Sequence, residues 1–95
     1  MIDNWLSKNR ISHERDVSYP ASSHKADWGV KNNRIFIEYF GLAKDSPRYD
    51  RSIEVKQKLS RKFSIELIEI YPSDLYPKFS LDEKLKILLK ETVLK

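Results

Sequence analysis

The chain has no cysteine, two histidines, two glycines and one methionine in 95 residues. The lack of cysteine removes disulfides, thiol catalysis and zinc-thiolate sites together. With only His13 and His24, no dedicated zinc site is expected. No apolar run is long enough to span a bilayer, and no signal-peptide pattern opens the chain, so a cytoplasmic protein with no membrane partner is expected. What remains is one domain over residues 1–95 with room for a single modest core. Hydrophobic residues make up 40% and charged residues 34%, a globular composition rather than a disordered one. The net charge of +4 is compatible with a polyanionic partner but does not demand one.

The pattern along the chain predicts a short helix over Asp3 to Lys8, a strand from Ile11 to Tyr19, a Pro20–His24 loop, and then a hairpin. In the first strand, alternation places Ile11, His13, Arg15, Val17 and Tyr19 on one face and Glu14, Asp16 and Ser18 on the other. A linker follows from Leu42 to Pro47. A helix is predicted from Pro47 to Phe63, with Ser46 as N-cap and Asp50 in the first turn. Ser64 to Tyr71 is the fourth strand, and Pro72 to Pro77 a loop with one helical turn. Ser80-Leu-Asp-Glu83 is a capping box for a last helix with Leu81, Leu85, Leu88, Leu89 and Thr92 on its stripe. Short connections make the first three strands an antiparallel meander, and the helical crossover makes the fourth parallel to the third. The expected fold is α/β, a four-stranded mixed sheet flanked by helices.

The hairpin carries the first chemical signal. Ala26-Asp27-Trp28-Gly29-Val30 and Arg34-Ile35-Phe36-Ile37-Glu38-Tyr39-Phe40-Gly41 flank Lys31-Asn32-Asn33. If Asn32-Asn33 form a two-residue turn, Asp27 lies opposite Glu38 with Cβ atoms ~5 Å apart. Like charges so placed destabilise a sheet, and a divalent cation is the simplest compensation. If Lys31 joins the loop instead, the register slips and the two carboxylates face opposite sides.

The middle helix adds a second signal. On a helical wheel Val55, Leu59, Phe63, Tyr49 and Ile53 form a broad apolar arc, and Lys56 falls near its centre. An ammonium facing the sheet needs an anion, and Asp27/Glu38 is the nearest candidate. Snorkelling to the helix edge is the other outcome.

Two hairpin carboxylates plus an inward lysine resemble the site of PD-(D/E)XK nucleases. Ala26-Asp27-Trp28 resembles the Pro-Asp-Phe of their first motif, and Ile37-Glu38-Tyr39-Phe40-Gly41 the Ile-Glu-Tyr-Phe/Trp-Gly of one subgroup. Tyr49-Asp50, Ser52-Ile53-Glu54, Lys56 and Leu67-Ile68-Glu69-Ile70-Tyr71-Pro72 are similar to the same subgroup, which occurs alone or fused to superfamily-I DNA helicases. The resemblance covers about Asn4 to Leu75. It implies a restriction-endonuclease-like αβββαβα core and a Mg²⁺- or Mn²⁺-dependent endonuclease acting on DNA in repair, recombination or restriction. Position 40 is Phe where the usual motif has Lys, and the resemblance implies that Lys56 stands in for it. Many relatives also carry an acid on the first helix, at a position that would fall before Met1; Asp3 and Glu14 are the candidate substitutes, Glu14 the better placed.

Under this resemblance Asp27 and Glu38 would ligate the metal with the main-chain carbonyl of Tyr39, and Lys56 would orient water or stabilise developing charge. Other residues have two readings each. His13 and His24 would contact phosphate or metal, or are ordinary surface and strand-face side chains. Gln57 faces the site or stays lateral. Tyr49 touches substrate or packs in the core. Trp28 and Tyr39 share the opposite hairpin face with Ile35 and Ile37, as core or as a stacking platform. Lys25, Arg34, Lys44, Arg48 and Arg51 form a phosphate-binding rim or a solvated surface. Ile87, Val93 and Leu94 are a dimer surface or an exposed terminus. The rival functions are a non-catalytic nucleic-acid-binding module of the same fold, and an interaction domain that pairs with itself or a helicase.

Overall fold

The computed structural model describes residues 2–41, 46–75 and 81–93, with 89–93 described by backbone alone. Lys44, Ser80 and Leu94, the end of the 72–77 loop, and the side chains of Leu89, Thr92 and Val93 lie outside the described residues. The elements follow the expected order: α1 (Ile2–Lys8), β1 (His13–Ser18), β2 (Lys25–Val30), β3 (Ile35–Tyr39), α2 (Pro47–Lys62), β4 (Glu66–Ile70), the single turn α3 (Pro72–Leu75) and α4 (Leu81–Val93). The sheet order is β1-β2-β3-β4, antiparallel until the final parallel pair of β3 with β4.

Lys31 joins Asn32 and Asn33 in the hairpin turn, yet the expected slip of register does not follow. Arg34 N donates to Lys31 O at 3.2 Å. Lys31, Asn32 and Asn33 have φ of 55°, 57° and 63°, three successive residues in the left-handed region. Val30 still lies opposite Ile35 and Trp28 opposite Ile37.

The two faces of the sheet are built differently. One carries a closed apolar cluster in which Ile2, Trp5 and Leu6 of α1 and Leu81, Leu85 and Leu88 of α4 pack on Trp28, Val30, Ile35, Ile37, Ile68 and Ile70. The other is covered by α2 over a smaller cluster of Tyr19, Ala26 and Phe36, with Val17, Leu59, Ile65 and Leu67 against it. Ser46 caps α2, its hydroxyl accepting from Tyr49 N, with Pro47 and Asp50 in the first turn as expected.

Three expectations are corrected. β1 does not alternate throughout: Asp16 has φ 54°, a conformation Asp tolerates. Arg15 reaches Asp3 of α1, whereas Val17 and Tyr19 pack on the α2 side. The apolar arc of α2 is only partly inward: Val55 is 40% and Phe63 38% exposed, whereas Ile53 is buried and Leu59 packs on the Tyr19–Phe36 cluster, with Ser60 buried beside them. Residues 53, 56, 57 and 60 share one helix face, so a largely polar line meets the sheet. Tyr39, at the end of β3, is 37% exposed and is not core. Ile87 is exposed, as the helix pattern indicated.

Because Asn33 holds a left-handed conformation that glycine adopts without a Cβ penalty, Asn33→Gly should stabilise the fold by about 0.5–1 kcal/mol. Thermal unfolding checks this; a lowered Tm would show that the Asn33 side chain, not its backbone, holds the turn.

Candidate active site

Glu38 is the centre of the α2-side arrangement. It lies on β3 between Phe36 and Phe40, both buried, and is itself only 2% exposed. A carboxylate so placed needs donors. Tyr19, just beyond β1, donates its hydroxyl to Glu38 Oε2 at 2.8 Å. Lys56 brings its Nζ to the same oxygen at 2.9 Å. Lys56 therefore finds its anion on the sheet, with 16% side-chain exposure, and does not snorkel away. Its Nζ also sits 5.9 Å from the centroids of both the Tyr19 and Phe40 rings. Position 40 thus lines the pocket of the helix-borne ammonium with an aromatic face, a favourable environment for a cation.

Burial pushes the Glu38 carboxyl above its ordinary value of 4.5; hydrogen bonds from Lys56 and Tyr19 pull it back, and the charge of Asp27 pushes it up again. The Tyr19 phenol is raised, first by burial and then by the Glu38 charge, so it remains a protonated donor through neutral pH.

Asp27 joins by a different route from the one expected. The β2–β3 ladder ends at Trp28 opposite Ile37, one step before Asp27 and Glu38. There the Asp27 side chain takes over, Oδ2 accepting from Tyr39 N at 2.9 Å. In an extended strand the N–H and C=O of one residue point to the same edge, so the Tyr39 carbonyl is directed to the Asp27 side. Asp27, Glu38 and that carbonyl offer oxygen donors, the type that a hard divalent cation prefers. Among the described residues no three His, Cys, Asp or Glu side chains converge as a metal cluster.

A third carboxylate was missed by sequence reasoning as a site neighbour. Glu69 is the β4 partner of Glu38. Gln57 Nε2 reaches both of its oxygens, at 3.2 and 3.1 Å, so Gln57 faces the sheet rather than lying laterally. The Tyr71 hydroxyl donates to Glu69 as well. Burial and Glu69 raise the Tyr71 phenol. Phe40 stacks edge-on with Tyr49 at 6.4 Å and tilted against Tyr71 at 5.8 Å. Consecutive residues of α2, Lys56 and Gln57, thus serve adjacent strand carboxylates. The signal for Gln57 was its adjacency to Lys56. Tyr19 gave none, because alternation assigned it with His13 and Arg15.

Other candidates lie elsewhere. Glu14 is exposed on β1 opposite Gly29, towards the hairpin turn, and is not brought to Glu38. Asp3 accepts from Trp28 Nε1 at 2.6 Å and pairs with Arg15 and His13 beneath the opposite face. His13 Nδ1 is 2.9 Å from Ile11 O. His24 bonds Tyr19 and Ser22 through its main chain. Lys25, Arg48 and Arg51 are exposed. Arg34 lines an open cavity of about 1050 Å³ at the hairpin turn, with Arg10, Glu14, Lys31 and Glu66. That cavity mixes both charge signs and holds none of Asp27, Glu38 or Lys56, so its size does not make it the chemical centre.

No family model, curated protein or solved structure matches the chain.

Removing Lys56 leaves a buried carboxylate without its cation. Lys56→Met should cost about 3 kcal/mol near pH 8. The folded-state pKa of Glu38 then rises further above its unfolded value, so the ionised folded form is penalised at high pH. The loss should shrink as pH falls through the raised value towards 4.5, where Glu38 is protonated in both states. Urea unfolding from pH 8 to 5 measures this. A pH-independent loss would contradict the pairing, as would a Glu38→Gln/Lys56→Met double variant no more stable than Lys56→Met alone.

Proposed function

We propose that this chain is a metal-dependent nuclease with a restriction-endonuclease-like fold, hydrolysing phosphodiester bonds in DNA. The observation that carries the reading is the buried Lys56–Glu38 pair, Nζ to Oε2 at 2.9 Å, beside the Asp27 carboxylate at the point where β2 and β3 stop pairing. A structural domain gains little from such an arrangement, since a buried ion pair is no more stabilising than apolar side chains of equal volume. Perturbed titratable groups of this kind concentrate at functional sites. The sheet order and the parallel β3–β4 pair also agree with the topology that the motif resemblance implies.

Asp27, Glu38 and the Tyr39 carbonyl would hold Mg²⁺ or Mn²⁺. The cation, when bound, would lower the pKa of water and draw charge from the phosphate. Asp27 orients the end of β3 by binding Tyr39 N, and thereby the neighbouring carbonyl. Lys56, confined by Glu38 and two aromatic rings, has donors left to direct at water or at charge developing on phosphorus. Phe36, Phe40 and the ring of Tyr19 exclude water from the inner side of Glu38. Exposed Lys25, Arg48 and Arg51 are candidates for phosphate contacts that position without reading sequence.

One observation favours a second reading, a nucleic-acid-binding module without catalysis: among the described residues no third His, Cys, Asp or Glu side chain converges with Asp27 and Glu38 as a metal-holding cluster. That reading predicts salt-sensitive binding that needs no metal and survives Glu38→Ala.

The test is cleavage of single-stranded, duplex and branched DNA with Mg²⁺ or Mn²⁺. Wild type should cut at least one substrate, and Asp27→Ala, Glu38→Ala and Lys56→Ala should each lower the rate at least about a hundredfold. Wild type that cuts nothing, or variants that cut equally well, would refute the assignment.

A further inference from the structure

Glu38 has two oxygens, and they are treated unequally. Both donors, the Tyr19 hydroxyl at 2.8 Å and Lys56 Nζ at 2.9 Å, converge on Oε2. No donor among the described residues reaches Oε1. The phenol that helps create this asymmetry is itself fixed. Tyr19 is 1% exposed, its ring packs edge-on against Phe36 at 4.8 Å, and its N donates to His24 O at 2.9 Å. The ring has no room to swing aside.

We propose that Tyr19 is a positioning residue that sets the cation preference of the site: with Lys56 it saturates Oε2, so that Glu38 has Oε1 alone for a divalent ion. This rests on the nuclease reading above, in which Glu38 is a metal ligand. The chemistry follows from coordination number. Mg²⁺ and Mn²⁺ are served by single carboxylate oxygens and water, whereas Ca²⁺ takes six to eight oxygens and readily uses both oxygens of one carboxylate. A Glu38 locked at Oε2 therefore disfavours Ca²⁺ relative to the smaller ions. Tyr19→Phe keeps the ring and the Phe36 packing and removes only the hydroxyl, which releases part of Oε2.

The experiment is calorimetric titration of wild type and Tyr19→Phe with Mn²⁺ and with Ca²⁺, without nucleic acid. The variant should shift the ratio of the two dissociation constants towards Ca²⁺ by about tenfold. A purely structural role for Tyr19 would weaken both ions together and leave the ratio unchanged. That result overturns the inference while the metal site stands. Wild type that binds neither ion overturns the metal reading, and this inference with it. If Tyr19→Phe does not fold, the wild-type protein decides by NMR. The Tyr19 hydroxyl proton should remain protected from exchange when Mg²⁺ saturates the site, and its loss on Mg²⁺ addition overturns the proposal.

Discussion

The burial of the Glu38 carboxylate is the constraint around which the α2 side is arranged. An uncompensated buried carboxylate costs several kcal/mol, a large share of the ~5–10 kcal/mol that holds a small domain together. Two charge-assisted hydrogen bonds, of roughly 1.5–3 kcal/mol each, offset that cost without exceeding it by much. They recruit Tyr19 from the end of β1 and Lys56 from α2. This explains why α2 lays a largely polar line on the sheet and turns Val55 and Phe63 outward. Gln57 and Glu69 repeat the solution one strand further on.

The division of labour between the sheet faces follows. Helices α1 and α4 close an apolar cluster that includes Trp5, Leu6, Ile37, Ile70, Leu81 and Leu85, and this side supplies most of the apolar burial. The α2 side has a small core and the charged groups. The backbone is adjusted where the two requirements meet. Asp16 breaks the alternation of β1, which lets Arg15 serve Asp3 on one face while Val17 and Tyr19 serve the other. Asp27 replaces a ladder hydrogen bond at the end of the β2–β3 pairing, so the carboxylate beside Glu38 is placed by the Tyr39 amide.

Much of this was legible in the sequence. The Asn32-Asn33 signal located the turn and its register held although Lys31 joins the turn, short and long connections set the antiparallel and parallel pairs, and the wheel position of Lys56 put it against the sheet. These are local or periodic signals, which a single sequence displays directly. The rest depended on non-local geometry. Alternation carried Tyr19 onto the face of His13 and Arg15, because nothing in the pattern announces a left-handed Asp16. The wheel counted Val55 and Phe63 as core, because it weighs hydrophobicity and not the demand of Glu38 and Glu69 for partners. Glu14 looked well placed because its strand borders the hairpin. Pairing with Gly29 sets it towards the turn, away from Glu38.

The account stands or falls on whether Asp27 and Glu38 hold a cation together. A crystal grown or soaked in Mn²⁺ tests this through the anomalous signal of the ion. The account predicts a peak within coordination distance of an Asp27 oxygen, of Glu38 Oε1 and of the Tyr39 carbonyl, with Lys56 still on Oε2. A fully soaked crystal with no peak there, or with the ion only in the cavity at the hairpin turn, would contradict it.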